Sequence, residues 1–529
     1  MAAGGRKKVR EEVSQQKHCS RKLQKKNEML ASYNQTAPHR ATEYNGSTLP
    51  ELLRREVDLS PPAKLRSGRR LRSSGQERIS ALPDDLLRLV LARIGCARAA
   101  ARTSVLSRWW RGLLLPGLVL RGIAFHKLDA ALGRVSPEVS LLEIHVAKWA
   151  CRLPPEQLRA SRVSSLLRAA VRLAPEEFVL ALPVESTRNT YDVELPSFHH
   201  ATSIVLHVLF FFKVPAGVEF PVLETLSLTG CKVDLNALLP CCPCLRVLRI
   251  KLTKFWTKGM DLTVHSASLQ ELVVKNKWMR NVDIVAPSLK QLTMSMISYI
   301  DKNISVMAPM MEKVSWQCLY GRVPGVREAC FGLWCLDKLR LQTAERQGQP
   351  TSLHIHAYTD KRSYRLLNKV DSCAIQKHIV DAFSVLELHL ETAGHVFGAF
   401  VFHLIEMNCI HSAMQRLKVV LQRSMKERCL TNCLCDPMNW KTKTMSVTAL
   451  KEMEVEGFEG EDHEFDFLKL VFKSAPNLER VTVKLSREDP SSSDICTKLY
   501  DIFRAYSSVE CCVCLNSGLM HGSQNCLST

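Results

Sequence analysis

An α/β solenoid of short repeats behind a small three-helix module is the fold class this sequence predicts. Three observations carry it. Segments with apolar residues at positions i, i+3 and i+5 recur at intervals in the low twenties. A helical apolar stripe is concentrated in one stretch, 77–121. Residues 1–76 show neither pattern and are polar and basic.

The tail, 1–76, holds 17 basic and 7 acidic residues, so about half of the net charge of +20 lies in one seventh of the 529-residue chain. This reads as a disordered basic tail on a mildly basic body. Its clusters, Arg6-Lys7-Lys8 with Arg10 and Arg66 with Arg69, Arg70 and Arg72, fit a nuclear-import signal, a weak nucleic-acid contact or a solvated tail. The opening residues lack the apolar core of a signal peptide, and no run reaches the length of a membrane span. The expected location is nucleus and/or cytoplasm, not secreted. Twenty cysteines then read as reduced, mostly buried thiols.

In the module, Leu82, Leu86, Val90 and Ile94 recur every fourth residue, with Leu87 and Leu91 beside them. Pro83 suits a first helical position, and Asp84 and Asp85 complement the helix dipole. Gly95 ends that helix, a short one follows over 97–102, and Thr103 or Ser104 caps a third carrying Leu106, Trp109, Trp110, Leu113 and Leu114. Forty-five residues bury too little surface to be strongly stable alone. The surplus of Leu and Trp fits a docking face for a partner's helices, or a segment of a larger core.

The pattern of Leu82-Pro83, paired acidic residues, a leucine-rich helix and Thr103 to Arg108 before Trp110 resembles the F-box of plant proteins. Trp109 departs from it, standing where plant F-boxes usually carry Arg. The resemblance implies docking to a Skp-type adaptor and through it to a cullin, within a ubiquitin ligase. It implies an adaptor face begun by Leu82, Pro83, Asp84, Leu86 and Leu87 and supported by Leu106 and Trp110. The chain would then act by proximity and orientation, as a non-catalytic receptor.

Strand-like stretches follow at 139–146, 174–182 and 201–208, with a helix over 164–173. Then come PVLETLSL at Pro221, PCLRVLRI at Pro243, ASLQELVV at Ala267, PSLKQLTM at Pro287, PMMEKVSW at Pro309 and CLDKLRL at Cys335. Their first apolar residues are Leu223, Leu245, Leu269, Leu289, Met311 and Leu336, at intervals of 22, 24, 20, 22 and 25. This is the mark of leucine-rich repeats, each giving a strand that needs its neighbours for burial. The rhythm blurs over 346–410 and returns at Met414, Ala449 and Ser474. LKEMEVEGFEGEDHEFDFLKLVFKSAPNLERVTV, within about 446–486, is similar to the FBD segment of plant F-box proteins. It reads as strand, acidic loop with two glycines, helix, Pro turn and strand. The expected domains are a tail (1–76), an F-box (77–121), an irregular solenoid (122–410) and terminal repeats (411–529).

The clusters Cys241/Cys242/Cys244, Cys429/Cys433/Cys435 and Cys511/Cys512/Cys514 lack paired zinc knuckles, so no metal is expected there. His354 and His356 share one face of a strand, but the sequence offers no further ligands for them, so they read as satisfied structural histidines and not as a metal site. There is no phosphate loop, nucleophile elbow or kinase signature, so the expectation is no enzyme and no cofactor.

These readings together predict a substrate-recognition subunit of a Skp–cullin–F-box ligase whose repeats bind an unidentified target protein. Trp256, Lys258, Trp278, Arg280 and Trp316, in or just beyond strand positions, are candidate target contacts. Two rivals stay open. One is an interaction scaffold with a degenerate F-box, on the strength of Trp109. The other, ranked below it, is a nucleic-acid binder driven by the tail.

Overall fold

The chain divides into two units, Met1–Gln76 and Glu77–Thr529. The computed structural model describes residues 117–522 apart from single positions and short segments, the longest being 147–159, 183–191, 252–259, 321–329, 360–372 and 424–432. The expected tail and all but the last five residues of the expected helical module lie outside the described residues. Those five, Gly117–Arg121, form a strand, with Leu118 and Leu120 alternating inward.

The first part runs β1 (Gly117–Arg121), α1 (Phe125–Leu132), β2 (Leu141–His145), α2 (Ala160–Arg172), β3 (Glu177–Ala181), β4 (Asp192–Glu194), β5 (Ser203–His207), β6 (Phe211–Lys213), β7 (Thr225–Thr229), β8 (Lys232–Val233), α3 (Leu235–Leu238) and β9 (Val247–Lys251). The middle continues with β10 (Met260–His265), β11 (Glu271–Val285), β12 (Gln291–Ile297), β13 (Ile304–Met307), β14 (Lys313–Leu319), β15 (Cys330–Phe331), β16 (Trp334–Gln342) and β17 (Ser352–Thr359). The last part holds α4 (Cys373–Gln376), β18 (Val385–Glu391), α5 (Gly398–Ile405), α6 (Asn408–His411), β19 (Arg416–Gln422), β20 (Glu452–Phe458), α7 (Asp462–Ser474), β21 (Arg480–Leu485), α8 (Ser492–Arg504), β22 (Glu510–Cys514) and β23 (Met520–Gly522).

One long sheet orders these strands. β1, β2, β3, β5, β7, β9, β11, β12 and β14 pair in parallel, each with the next. The same register carries one apolar row through Leu118, Leu142, Phe178, Ile204, Leu226, Leu248, Leu272, Leu292 and Val314. A second runs through Leu120, Ile144, Leu180, Leu206, Leu228, Ile250, Val274, Met294 and Trp316. All eighteen side chains are buried. Each buried side chain of this size contributes about 1.5–3 kcal/mol of transfer free energy, and only stacking repeat on repeat supplies the burial.

The repeats are irregular, as their intervals imply. β4, β6 and β8 form a small parallel sheet of their own. β11 is fifteen residues long and serves two layers. Its first half lies in the main ladder, its register shifts between Lys275 and Trp278, and its second half pairs with β10 and β13. The unit at Leu336 is not a further parallel repeat. β16 lies antiparallel to both β14 and β17, reversing the chain once before the parallel order resumes. From β17 through β18, β19, β20 and β21 to β22 all pairings are parallel again. Among the described residues, no helix is long and apolar enough to cross a membrane.

The C-terminal segment folds in the order its sequence implies. β20, with Gly457 near its end, leads through a short loop with Gly460 to α7, a turn and β21. Gly457 sits at a register shift in β20 with φ of +83°, and a Cβ there would run into the carbonyl oxygen of Leu421. Glu461 and Glu464 form a capping box on α7. The fully buried Glu464 carboxylate also accepts from the amides of Glu459, Gly460 and Glu461 at 2.7–3.0 Å and meets Arg423 at 2.9 Å. Burial pushes this carboxyl's pKa upward, against the pull of Arg423 and the amides.

Cysteine usage departs from expectation in one place. Cys335 is disulfide-bonded, while eleven other described cysteines are thiols. Of those, Cys231, Cys242, Cys318 and Cys511 are buried, and Cys244 is exposed.

Candidate functional site

Strand alternation decides what the open face of the sheet displays. Where residues two and four of a strand point into the core, residues one, three and five point away from it. One such row crosses the whole sheet in continuous register. It reads Arg121, His145, Ala181, His207, Thr229, Lys251, Lys275, Ser295, Gln317, Arg340, His354, Glu387, Lys418, Glu454, Thr482 and Cys512.

The row changes character along its length. From Arg121 to Arg340 it holds six basic side chains and no carboxylate. Arg121 and His145 both reach Glu143, one pleat away. Lys251 and Lys275 are exposed, adjacent across the β9–β11 ladder, and have no carboxylate within ion-pair distance among the described residues. Burial lowers the pKa of His207, and His145 and Lys251 lower it further. Lys338 and Arg340 stand on the same face of β16, where burial and the Arg340 charge lower the Lys338 pKa. Arg121 is paired with Glu143 and Arg249 with Glu271, so the positive charge left unpaired among the described residues of this stretch is that of Lys251, Lys275 and Arg340, to which an acidic surface is complementary.

From His354 onward the charges are paired. Lys418 lies 3.5 Å from Glu454 and 3.3 Å from Glu456, and Lys484 lies 2.7 Å from Glu454. Arg416 meets Glu452 at 2.7 Å, and Arg480 meets Glu510 at 2.9 Å. At the junction, Glu387 takes His354 on one oxygen at 3.2 Å and His389 on the other at 2.6 Å. These two imidazoles hold the Glu387 carboxyl far below the usual carboxylate range, against the effect of burial. His356 stacks flat on His389 with ring centroids 4.4 Å apart. Burial brings the His356 pKa down to about 4, with His389 and Lys338 adding to the effect.

Away from this face, a pocket of about 380 Å³ opens where the small β4–β6–β8 sheet and α3 meet β10 and β11. Phe211, Lys232, Leu235, Asp261, Leu262 and Met279 are among its lining residues.

The five candidate target contacts fare differently. Trp316 is corrected. It is fully buried in the second apolar row and donates its indole N–H to His378 Nδ1 at 3.2 Å, so it cannot reach a target. Arg280 is exposed, but it belongs to the β10–β11–β13 layer and is paired with Asp261 at 2.9 Å. Trp278 lies on the backbone of β11 at its register shift. Trp256 and Lys258 lie outside the described residues, as do Leu82, Pro83, Asp84, Leu86, Leu87, Leu106 and Trp110. The strip at Lys251, Lys275 and Arg340 went unrecognised in the sequence. Its signal was present in the third and fifth strand positions of each repeat.

A family model described as "FBD-associated F-box protein At5g56370, LRR repeats" matches residues 139–314. The match begins just before β2 and ends as β14 begins, so it covers most of the first parallel run. The repeats of this chain are therefore similar to leucine-rich repeats of an F-box protein family. The match does not extend to the segment at 446–486. No curated protein matches the chain.

Proposed function

We propose that this chain is the substrate-recognition subunit of a Skp–cullin–F-box ubiquitin ligase. Its F-box-like segment would dock a Skp-type adaptor through Leu82, Pro83, Asp84, Leu86 and Leu87, with Leu106 and Trp110 in support. Its repeats would hold an acidic region of the target protein. The observation that carries the reading is the unpaired positive strip at Lys251, Lys275 and Arg340 on the open face of the sheet, two of its three residues within the matched repeats. A continuous strand ladder fixes the spacing of these cations, so little ordering entropy opposes binding. The chain itself performs no bond chemistry in this role; it positions the target for a separate ubiquitin-carrying enzyme.

The deciding experiment is co-purification of the full chain with a Skp-type adaptor and cullin. Capture of both is expected. Loss of capture is expected in the Leu82→Ala/Pro83→Ala double variant, with the circular dichroism of the repeats unchanged. Absence of adaptor binding by the wild-type chain overturns the reading. Trp109 favours a second reading, a protein-interaction scaffold with a degenerate F-box, and adaptor binding without cullin recruitment would select it.

A further inference from the structure

The junction on the open face holds a set of donors that ion pairing does not exhaust. β17 and β18 run parallel in a register that sets His354 opposite Glu387 and His356 opposite His389. Alternation puts all four side chains on one face, as corners of a square. The donor atoms of His354, Glu387 and His389 all lie within 4.8 Å of one another. All three side chains are about a quarter exposed, deep enough to limit competition from water and open enough to admit an ion. We infer that His354, Glu387 and His389 form a binding site for one divalent cation of the zinc class.

Two imidazoles and a carboxylate are the borderline donor set that zinc favours, and three protein ligands leave one coordination position free. That position faces out from the sheet, towards a water or a donor group of whatever binds there. The outer contacts suit the role. His354 presents Nδ1 to Glu387, and its Nε2 lies 2.7 Å from the Ser352 hydroxyl. With the proton on Nε2, donated to Ser352, the Nδ1 lone pair is free for a metal, and the second contact fixes the ring plane. His356, stacked on His389 with ring centroids 4.4 Å apart, buttresses that ring. The neighbouring Lys418 ammonium is ion-paired with Glu454 and Glu456. All three ligands sit on strands with buried neighbours on both sides, so the site is held by ladder hydrogen bonds rather than by a loop.

The inference is independent of the ligase reading, because it requires neither adaptor nor target. The experiment is titration of the chelator-treated full chain with Zn²⁺ by calorimetry, and with Co²⁺ by absorption spectroscopy. The wild-type protein is expected to bind one equivalent more than the His354→Gln/His389→Gln variant. The Co²⁺ difference spectrum between the two should show ligand-field bands without a thiolate charge-transfer band, which separates this site from the cysteines. Ser352→Ala, which leaves the ligands and the sheet intact, is expected to weaken that equivalent by about tenfold. Equal stoichiometry in wild type and double variant overturns the inference. So does a difference spectrum dominated by thiolate bands, or a Ser352→Ala protein whose affinity is unchanged.

Discussion

The two ends of the open face are built on the same ladder and use charge in opposite ways. Between β9 and β16, Lys251, Lys275 and Arg340 face outward without carboxylate partners among the described residues. Between β18 and β22, cations alternate with glutamates across neighbouring strands, as in Arg416–Glu452 and Lys484–Glu454. Backbone geometry does not separate the two ends, since apart from the reversed β16 both are parallel and in register. What differs is whether the charge is spent inside the molecule or left for something outside it. Compensated surface pairs contribute little to stability and nothing to attraction at a distance. Uncompensated charge costs some self-repulsion and steers an oppositely charged partner. Under the proposed function, the unpaired end is the one that would meet an acidic partner, and the paired end would not.

Four perturbations test that division. The largest effect is expected from Glu464→Ala behind the paired end. It strips three amides and Arg423 of their shared acceptor and should cost about 3–5 kcal/mol, read by urea denaturation. A loss below 1 kcal/mol would show that this end is not held by its buried polar cluster.

Next comes Lys251→Glu with Lys275→Glu at the unpaired end. Target affinity should fall by about ten- to a hundredfold, mostly through the association rate, while stability moves by no more than about 0.5 kcal/mol. Surface plasmon resonance at two salt concentrations would separate the two effects. The matching reversal Lys484→Glu should leave target affinity unchanged.

A smaller effect follows from pH. The His356 pKa is depressed to about 4 from an ordinary 6.5, so the folded state favours the neutral ring. Its contribution is fully present above pH 6.5 and is lost as pH falls from 6.5 towards 4. Glu387, also depressed, acts in the same sense at still lower pH. Allowing for solvent screening of a half-buried ring, melting at pH 4.5 rather than 7 should show about 1 kcal/mol of loss assignable to His356, absent in His356→Gln. The smallest effect is expected from Glu510→Gln, which opens the exposed Arg480 pair and should cost at most about 0.5 kcal/mol in the same melts.

Much of this architecture was legible because leucine spacing and strand parity are local signals. The i, i+3, i+5 rule placed β7, β9, the first half of β11, β12 and β14, but not β10, β13 or the second half of β11, and the glycine-bearing passage from β20 into α7 was readable from composition. The same rule already condemned Trp316, since in PMMEKVSW it takes the i+5 place occupied by core residues in every other repeat. Reading that tryptophan by residue type instead of by position produced the error. The reversal at β16 was hidden because an alternating strand looks the same in either direction. The His354 site was half visible. The sequence put His354 and His356 on one face, but Glu387 and His389 lie more than thirty residues on, and only the β17–β18 register joins them.

The reversed strand has a further consequence. In a purely parallel array each unit leans only on its neighbours, and order can spread from one end to the other. β16 is held from both sides by antiparallel ladders, so it divides the array into β1–β14 and β17–β22, two runs each wound without interruption. A chain cut between β14 and β16 should therefore yield two pieces that re-form along a single edge when mixed, and heating the intact chain should reveal two melting steps in place of one.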